Sequence, residues 1–299
     1  MKTLNQLIDF ATVLPKKTIA VACPEDYEVL EAILTAYQMH LCNFHLFGNE
    51  NLIMQMIKEN KLSLPDEIKI FHAEDKVDAC RKAVQAVSSG KANVVMKGLV
   101  DTSIILKEVL NRDYGLRSDS ILSHVMLIEL PKLKRVILMS DGAMNIDPDV
   151  NQLKQITINA INLSKSIGFQ NPKVALLSAV EVPNPKIPST IKCQAIQELY
   201  EKGEISDCVL AGPYALDLAI SPEAAKIKEI NHPVAGNADI LIVPYIEVGN
   251  ALYKGWVFGT DNVQNAGIVV GAKAPIILTS RADNHQAKLF SIALSLLIN

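Results

Sequence analysis

Short apolar runs alternate with amphipathic segments along most of the chain. KTIAVAC precedes DYEVLEAILTAYQM, EIKIFHA precedes DKVDACRKAVQAV, and ANVVMKG precedes TSIILKEVL. The first segment of each pair is short and rich in β-branched residues, whereas the second repeats its apolar positions with helical spacing. Runs such as VILM, VALLSAV and ADILIVP are apolar on both faces, as are parallel strands covered by helices. The pattern predicts an α/β fold with mostly parallel sheets.

The alternation is interrupted near the middle of the chain. The segment GLRSDSILSHVMLIEL matches neither one clean helix nor a single strand. A second series of strand and helix patterns starts at RVILMSDGAMN and ends in a strongly apolar C-terminal helix. No linker rich in Gly, Pro or Ser separates the halves, so we expect two α/β domains that share an interface and face a cleft.

Composition narrows the class of ligand. A net charge of −3 and an aromatic content of 5% provide neither a basic surface for nucleic acid nor stacking platforms for bases. The five cysteines are scattered without a CxxC pair, which disfavours disulfides and zinc and favours the cytosol. No apolar run is long enough for a signal peptide or a membrane span. We expect a cytoplasmic protein that binds small molecules, and neither nucleic acid nor membrane.

Signatures of several common enzyme classes are absent from the sequence. It contains no GxGxxG after the first strand, no Walker loop, no HExxH and no GxSxG. The six histidines do not have the spacing of metal ligands, so we expect no metal site.

Small and polar residues follow the predicted strands, where ligands bind in open α/β sheets. In MKGLVDTS, a strand ends at Lys97 and Gly98, and a helix opens at Asp101, Thr102 and Ser103. The N–H groups of such a helix, together with a lysine, suit an anion. The alternative is that Thr102 or Ser103 only caps the helix and that Lys97 is solvated.

The segment LTSRAD has the same position between a predicted strand and a helix. Arg281 can hold a phosphate through two hydrogen bonds, and Ser280 can donate to a thiol or to an oxyanion. Asp283 can accept a proton. In the alternative interpretation, Ser280 or Asp283 caps the helix and Arg281 pairs with a surface carboxylate.

Three further polar residues lie near the strand ADILIVP. Asn237 and Asn250 are next to glycines at predicted strand edges, where the backbone can approach a ligand closely, although turn formation explains them equally well. Glu247 is either a buried functional carboxylate or an exposed acid at the end of a strand.

In their order and spacing, these segments resemble the phosphate acetyltransferase and phosphate butyryltransferase family over essentially the whole chain. Five segments are more similar to the butyryl branch than to the acetyl branch. They are MKGLVDTSIILKEVL, GLRSDSILSHV, SDGAMNIDP, GPYALD and GAKAPIILTSRAD. The resemblance implies an architecture like that of isocitrate and isopropylmalate dehydrogenases, usually in a homodimer. It also implies a first domain of residues 1–134 plus 267–299 and a second domain of residues 135–266.

The implied reaction converts acyl-CoA and phosphate into acyl phosphate and free coenzyme A by direct transfer in a ternary complex. Coenzyme A is a substrate, and neither a metal nor a cofactor is implied. On the family's pattern, Ser280 and Arg281 are catalytic residues, and Asp283 is added as a third because it is the nearest carboxylate. The candidate binding residues for phosphate or coenzyme A are Lys97, Gly98, Thr102, Ser103, Lys107, Asn145, Gly212, Pro213, Asn237, Gly249, Asn250 and Lys273.

Several positions depart from the family's pattern. An aspartate that acetyl enzymes place seven residues after the serine falls on Ala287, and a basic residue falls on Phe258. Either Asp283 or a phosphate oxygen of the substrate would then accept the proton. Ala211 and Leu218 replace an aspartate and an asparagine that are expected in the butyryl branch, so we expect an acyl preference different from that branch.

Three alternatives to a phosphate butyryltransferase follow. The first is a phosphate acetyltransferase. The second is a non-catalytic sensor of coenzyme A or acyl phosphate, which the alanine at position 287 favours. The third is a nicotinamide-dependent decarboxylating dehydrogenase on a related architecture, for which the chain lacks a convincing set of metal-binding aspartates.

Overall fold

Two α/β units are present in the computed structural model, which describes residues 1–279 and 283–298. The terminal unit comprises Asn5–Ser120 with Ala266–Asn299, and the central unit comprises Met1–Leu4 with Ile121–Asn265. In chain order, the helices and strands are α1 (Asn5–Thr12), β1 (Lys17–Ala22), α2 (Tyr27–Gln38), β2 (Cys42–Gly48), α3 (Glu50–Glu59), β3 (Lys69–His72), α4 (Lys76–Ser88), β4 (Val94–Lys97), α5 (Thr102–Val109), β5 (Ser123–Leu130), β6 (Arg135–Ser140), α6 (Val150–Ser166), β7 (Lys173–Leu177), α7 (Pro188–Glu201), β8 (Val209–Tyr214), α8 (Leu216–Ile220), α9 (Pro222–Ile227), β9 (Ile240–Ile242), α10 (Ile246–Gly259), β10 (Gln264–Val270), β11 (Ile276–Ile277) and α11 (His285–Leu296). The predicted α/β class is confirmed.

The sheet of the terminal unit has the strand order β3-β2-β1-β4-β11-β10. Strand β1 pairs in parallel with β2 and β4, and β4 pairs in parallel with β11. Only the pairing of β10 with β11 is antiparallel among the described pairs of this unit. Helix α11 packs against α1 and α2, which explains why its sequence is apolar on nearly every side.

The sheet of the central unit has the strand order β5-β6-β9-β7-β8. Strands β5 and β6 form an antiparallel pair in which Met126 lies opposite Met139, and β6, β9, β7 and β8 then pair in parallel. The domain boundary predicted at residues 134/135 would divide the antiparallel pair, whereas the compact units divide at residues 120/121.

Two local predictions were wrong. The segment predicted to lack a single strand contains β5, whose residues are buried on both faces, so the sequence shows no alternation of apolar and polar positions. The segment IEVGN, predicted as a strand edge, forms the first turn of α10, and its glycine obscures the helical pattern. Glu247 is exposed in that helix, so it is neither a buried carboxylate nor a residue of a strand.

Polar caps fix where several helices begin. The side chains of Asp26, Asp75 and Asn284 accept hydrogen bonds from first-turn N–H groups of α2, α4 and α11. In the described part of the chain, no helix combines the length and the apolar character needed to cross a membrane.

The first turn of α4 contains a buried carboxylate that affects stability. Lys82 Nζ lies 2.7 Å from Asp78 Oδ2, and Arg81 also pairs with this side chain. Hydrogen bonds from Lys82 and then Arg81 lower the pKa of Asp78 from an ordinary value of 3.8 to about 2. Because the folded-state pKa is lowered, the stabilisation is complete above about pH 4 and is lost as the pH falls towards 2.

We therefore expect Asp78→Asn to lower the free energy of unfolding by about 1 kcal/mol at pH 7. The difference from the wild type should shrink as the pH falls from 4 to 3, because the Asp78 carboxylate of the unfolded wild-type chain, with a pKa of 3.8, then becomes protonated while that of the folded protein is still ionised. Urea unfolding at pH 7 and pH 3 measures the effect, with Asp66→Asn as the exposed reference variant. A difference that is equal at both pH values would contradict the prediction.

Candidate functional site

The carboxyl end of β4, in the middle of the terminal unit's sheet, holds a buried lysine. Lys97 is only 5% exposed, although lysine is rarely buried without polar partners. Its Nζ donates to the carbonyl oxygens of Gly98 and Val100, each at 3.2 Å. The alternative of a solvated Lys97 is therefore wrong. The ammonium is held at the sheet edge where ligands bind in α/β folds.

Gly98 passes unusually close to the end of β1. Its N–H donates to the carbonyl oxygen of Ala22 at 2.8 Å, and the next N–H, of Leu99, donates to that of Cys23 at 2.7 Å. A Cβ atom at Gly98 would lie 2.0 Å from the Cys23 carbonyl oxygen. Position 98 therefore excludes every side chain, and the contact fixes where the chain turns after Lys97.

Helix α5 starts four residues later. Asp101 occupies the N-cap position without a side-chain capping hydrogen bond, and Thr102 and Ser103 are exposed in the first turn. Neither Thr102 nor Ser103 is the cap, so that alternative is wrong. Lys107 is exposed in the last turn, about 8 Å further along the helix axis. Ser103 and Lys107 are four positions apart, so they lie on the same face of α5, whereas Thr102 lies on a different face.

A small depression brings the end of β4 together with the segment that follows β11. Its lining includes Lys97, Gly98, Leu99, Thr279 and Lys288. Ser280 and Arg281 lie outside the described residues, but Thr279 directly precedes them in sequence. Two of the predicted motifs therefore converge at this depression.

Lys288 was missed by the sequence interpretation. It is 3% exposed in α11, and its Nζ donates to the main-chain oxygen of Asp283. The signal that identifies it is that no other Lys, Arg, Asp or Glu occurs in this mostly apolar helix. The cap of α11 is Asn284, which accepts from the N–H of Ala287 at 2.9 Å. The helix is therefore not capped by Asp283, whereas the part of the alternative that concerns Ser280 and Arg281 lies outside the described residues.

In the central unit, a buried aspartate organises the loop after β6. Asp141 is 2% exposed, and its Oδ1 accepts from the N–H groups of Ala143 and Met144 at 2.9 and 3.0 Å. Its Oδ2 accepts from Asn145 Nδ2 at 2.6 Å, and the same amide donates to the Leu122 carbonyl at 2.9 Å. The amide nitrogen of Asn145 thus holds the loop, and Asp141 is a second residue that the sequence interpretation missed.

This loop touches the first turn of α10. A Cβ atom at Gly249 would lie 2.6 Å from the Cα of Gly142, and Asn250 Nδ2 donates to the Gly142 carbonyl at 3.3 Å. The structure therefore brings two predicted segments together at the carboxyl edge of the central sheet. Gly249 is required there for packing between two backbones.

Gly212 and Pro213 lie inside β8 and are joined by a cis peptide bond. A Cβ atom at Gly212 would lie 2.5 Å from the Cβ of Leu176 in the neighbouring strand β7. Strand packing therefore explains this glycine without a ligand.

Two predicted binding residues lie away from the carboxyl ends of the strands. Asn237 precedes β9, and its side chain donates to the Ala235 carbonyl at 3.1 Å within a turn. Lys273 is exposed in the turn before β11. Since β11 runs parallel to β4, Lys273 lies at the edge opposite to Lys97. The structure does not bring these two residues together with the other candidates.

An apolar cavity of about 350 Å³ lies at the carboxyl edge of the central sheet. Leu177, Leu216, Tyr245 and Val248 contribute to its lining, which also contains Ser178. The Ser178 hydroxyl is already paired with that of Ser189 at 2.8 Å. The cavity has the size and character of a site for an apolar part of a ligand.

The terminal unit also contains three neighbouring residues whose side chains could bind a metal ion. The ligand atoms of Glu28, Glu31 and His285 lie within 4.8 Å of one another, and all three residues are partly exposed. Exposed acidic groups of this kind are common without a metal, so the expectation that the protein uses no metal stays a prediction.

Comparisons with known proteins agree with the predicted resemblance. A family model described as phosphate acetyl/butaryl transferase matches residues 67–296. The chain is 43% identical over 293 residues to a probable phosphate butyryltransferase of Bacillus subtilis, with 98% of this chain and 97% of that protein covered. It is 40% identical over 298 residues to the phosphate butyryltransferase of Clostridium acetobutylicum, with 100% and 98% covered. The crystal structure of a branched-chain phosphotransacylase from Enterococcus faecalis V583 is similar with a TM-score of 0.83 and 34% identity, covering 94% of this chain and 98% of that chain.

Proposed function

Because the chain belongs to the phosphate acetyl/butaryl transferase family, we propose that it transfers a butyryl or branched short-chain acyl group between coenzyme A and inorganic phosphate. The observation that carries the proposal is the depression shared by buried Lys97 and Thr279. A fixed positive charge lies there beside the residue that precedes Ser280 and Arg281, and a phosphotransacylase needs cations for phosphate at that point.

The reaction requires a phosphate oxygen to attack the thioester carbonyl carbon. An oxyanion forms at the carbonyl oxygen, the carbon–sulfur bond then breaks, and coenzyme A leaves as a thiol after gaining a proton. We assign phosphate binding to Lys97 and Arg281, since both carry positive charge that attracts the nucleophile. We assign Ser280 to donate a hydrogen bond to the sulfur or to the oxyanion.

The proton that phosphate loses needs an acceptor. Ala287, at the position of the acetyl enzymes' aspartate, is 5% exposed in α11 and has no ionisable group. Asp283 is the nearest carboxylate in sequence, and the alternative acceptor is a phosphate oxygen of the substrate. A protein that lacks this aspartate and has no other proton acceptor would bind its ligands without turnover. The second candidate function is therefore a non-catalytic sensor of coenzyme A or acyl phosphate. A homodimer or higher homo-oligomer, a cytoplasmic location and the absence of a cofactor also belong to the proposal.

The test is coenzyme A release from acetyl-, butyryl-, isobutyryl- and isovaleryl-CoA, followed with a thiol reagent, with and without phosphate and without added metal. We expect phosphate-dependent release, with kcat/KM for butyryl- or a branched acyl-CoA at least about tenfold above that for acetyl-CoA, because each methylene contributes about 1 to 3 kcal/mol. A chelator should have no effect.

Two outcomes contradict the proposal in different ways. The highest kcat/KM with acetyl-CoA would identify a phosphate acetyltransferase. Binding of coenzyme A by a folded protein that releases none from any substrate would favour the sensor.

A further inference from the structure

The buried lysine of α11 has few polar partners for a charged group. Lys288 is 3% exposed and lies between the buried side chains of Ala287 and Leu289. Its ammonium donates to the main-chain oxygen of Asp283, and among residues 1–279 and 283–298 no carboxylate forms an ion pair with it. Burying a charge is costly unless the charge is paired, so this lysine suits an anionic ligand.

Lys288 lies beside a second buried cation. It lines the same small depression as Lys97, which is 5% exposed. The carboxylate of Asp26 also lines the depression, but its Oδ1 already accepts from the N–H of Val29 at 3.0 Å. Two buried lysines and one aspartate whose side chain also caps a helix therefore line the same depression.

We propose that Lys288 binds the phosphate substrate together with Lys97. An ammonium group has three donors, and the Asp283 carbonyl uses one of them. The other two are available for phosphate oxygens within the described part of the structure. The inference rests on the proposed phosphotransacylase function, and it adds a binding residue from α11 to that reaction.

The proposal predicts a selective effect of Lys288→Met, which removes the charge but keeps a long apolar side chain. We expect the Kd for inorganic phosphate, measured by calorimetry with and without coenzyme A, to rise at least about tenfold. The KM for phosphate should rise by a similar factor, whereas the KM for acyl-CoA should change less than about twofold. Lys288→Arg retains the charge and should recover part of the phosphate affinity.

Lys17→Met is the matched control variant. Lys17 is a partly buried lysine of the same unit, and its Nζ also donates to a main-chain carbonyl, that of Ile298, at 2.6 Å. It does not line the depression. The control should therefore change the melting temperature without changing the phosphate Kd.

Several results would overturn the inference. A lower melting temperature of Lys288→Met with an unchanged phosphate Kd would show a purely structural role. Equal increases in the KM values for phosphate and acyl-CoA would show general disruption of the site. A wild-type protein that binds no phosphate, alone or with coenzyme A, would also overturn it. If the wild type binds phosphate but releases no coenzyme A, the proposed function fails and the calorimetric comparison alone decides the role of Lys288.

Discussion

Replacing Gly98 with alanine is expected to lower the free energy of unfolding by about 3 kcal/mol and to remove most phosphate-dependent activity. The new Cβ atom would lie 2.0 Å from the carbonyl oxygen of Cys23 and 2.9 Å from that of Ala22. Both are backbone atoms, so no side chain can move aside to relieve the clash. The chain after β4 must shift instead, and Lys97 would move with it because it is the adjacent residue.

Gly255→Ala is the matched control for this prediction. Gly255 is exposed inside α10, and a Cβ atom there would have no neighbour within 4 Å. This substitution should stabilise the helix by up to about 1 kcal/mol, because glycine is a poor helix former. Urea unfolding and the KM for phosphate are measured for both variants. A Gly98→Ala protein within about 0.5 kcal/mol of the wild type would contradict the close contact with β1.

The sequence predicted the end of β4 correctly because two independent rules agree there. A short β-branched run marks the strand, and the carboxyl ends of parallel strands are where ligands bind. The same rule distinguishes Asn250, which follows β9, from Asn237, which precedes it, and it also excludes Lys273 before β11. Asn237 was predicted from its neighbouring glycine and Lys273 from the family's pattern, in both cases without regard to strand direction.

Other features depend on tertiary contacts that a linear pattern does not contain. The strand β5 is buried on both faces, so its periodicity carries no information about which element it forms. The role of Asp141 depends on N–H groups two and three residues later, which become accessible to its carboxylate only in the folded loop. Lys288 was overlooked because an apolar helix was interpreted as core, and its charge was not weighed against the cost of burial.

The proposed phosphate site and the apolar cavity differ in polarity. The depression in the terminal unit holds buried charge, whereas the cavity in the central unit is mostly apolar and has its serine hydroxyl already paired. An acyl-CoA combines an apolar acyl chain with a reacting thioester, and its partner phosphate is highly charged. Each of the two sites suits one of the two kinds of substrate that the proposed function requires.

Replacing Ser280 with alanine is expected to lower kcat by about 100- to 1000-fold, because one donor to the developing charge is lost. The family resemblance supplies the role of Ser280. Anchors are present on both sides of the segment: Thr279 is buried, and Lys288 holds the main chain of Asp283. The substitution should therefore leave the melting temperature nearly unchanged. Steady-state kinetics with butyryl-CoA and phosphate, together with thermal unfolding, measure the two effects separately.

The Arg281→Ala variant distinguishes the role of Ser280 in the chemical step from the role of Arg281 in phosphate binding. Loss of the guanidinium should mainly raise the KM for phosphate, since the charge contributes to binding before the reaction starts. Ser166→Ala, at an exposed position of α6, should retain wild-type kinetics. Wild-type kinetics in both the Ser280 and Arg281 variants would refute the assignment of the catalytic residues. A large loss of kcat in Ser280→Ala with an unchanged KM for phosphate would instead separate the role of Ser280 in the chemical step from phosphate binding.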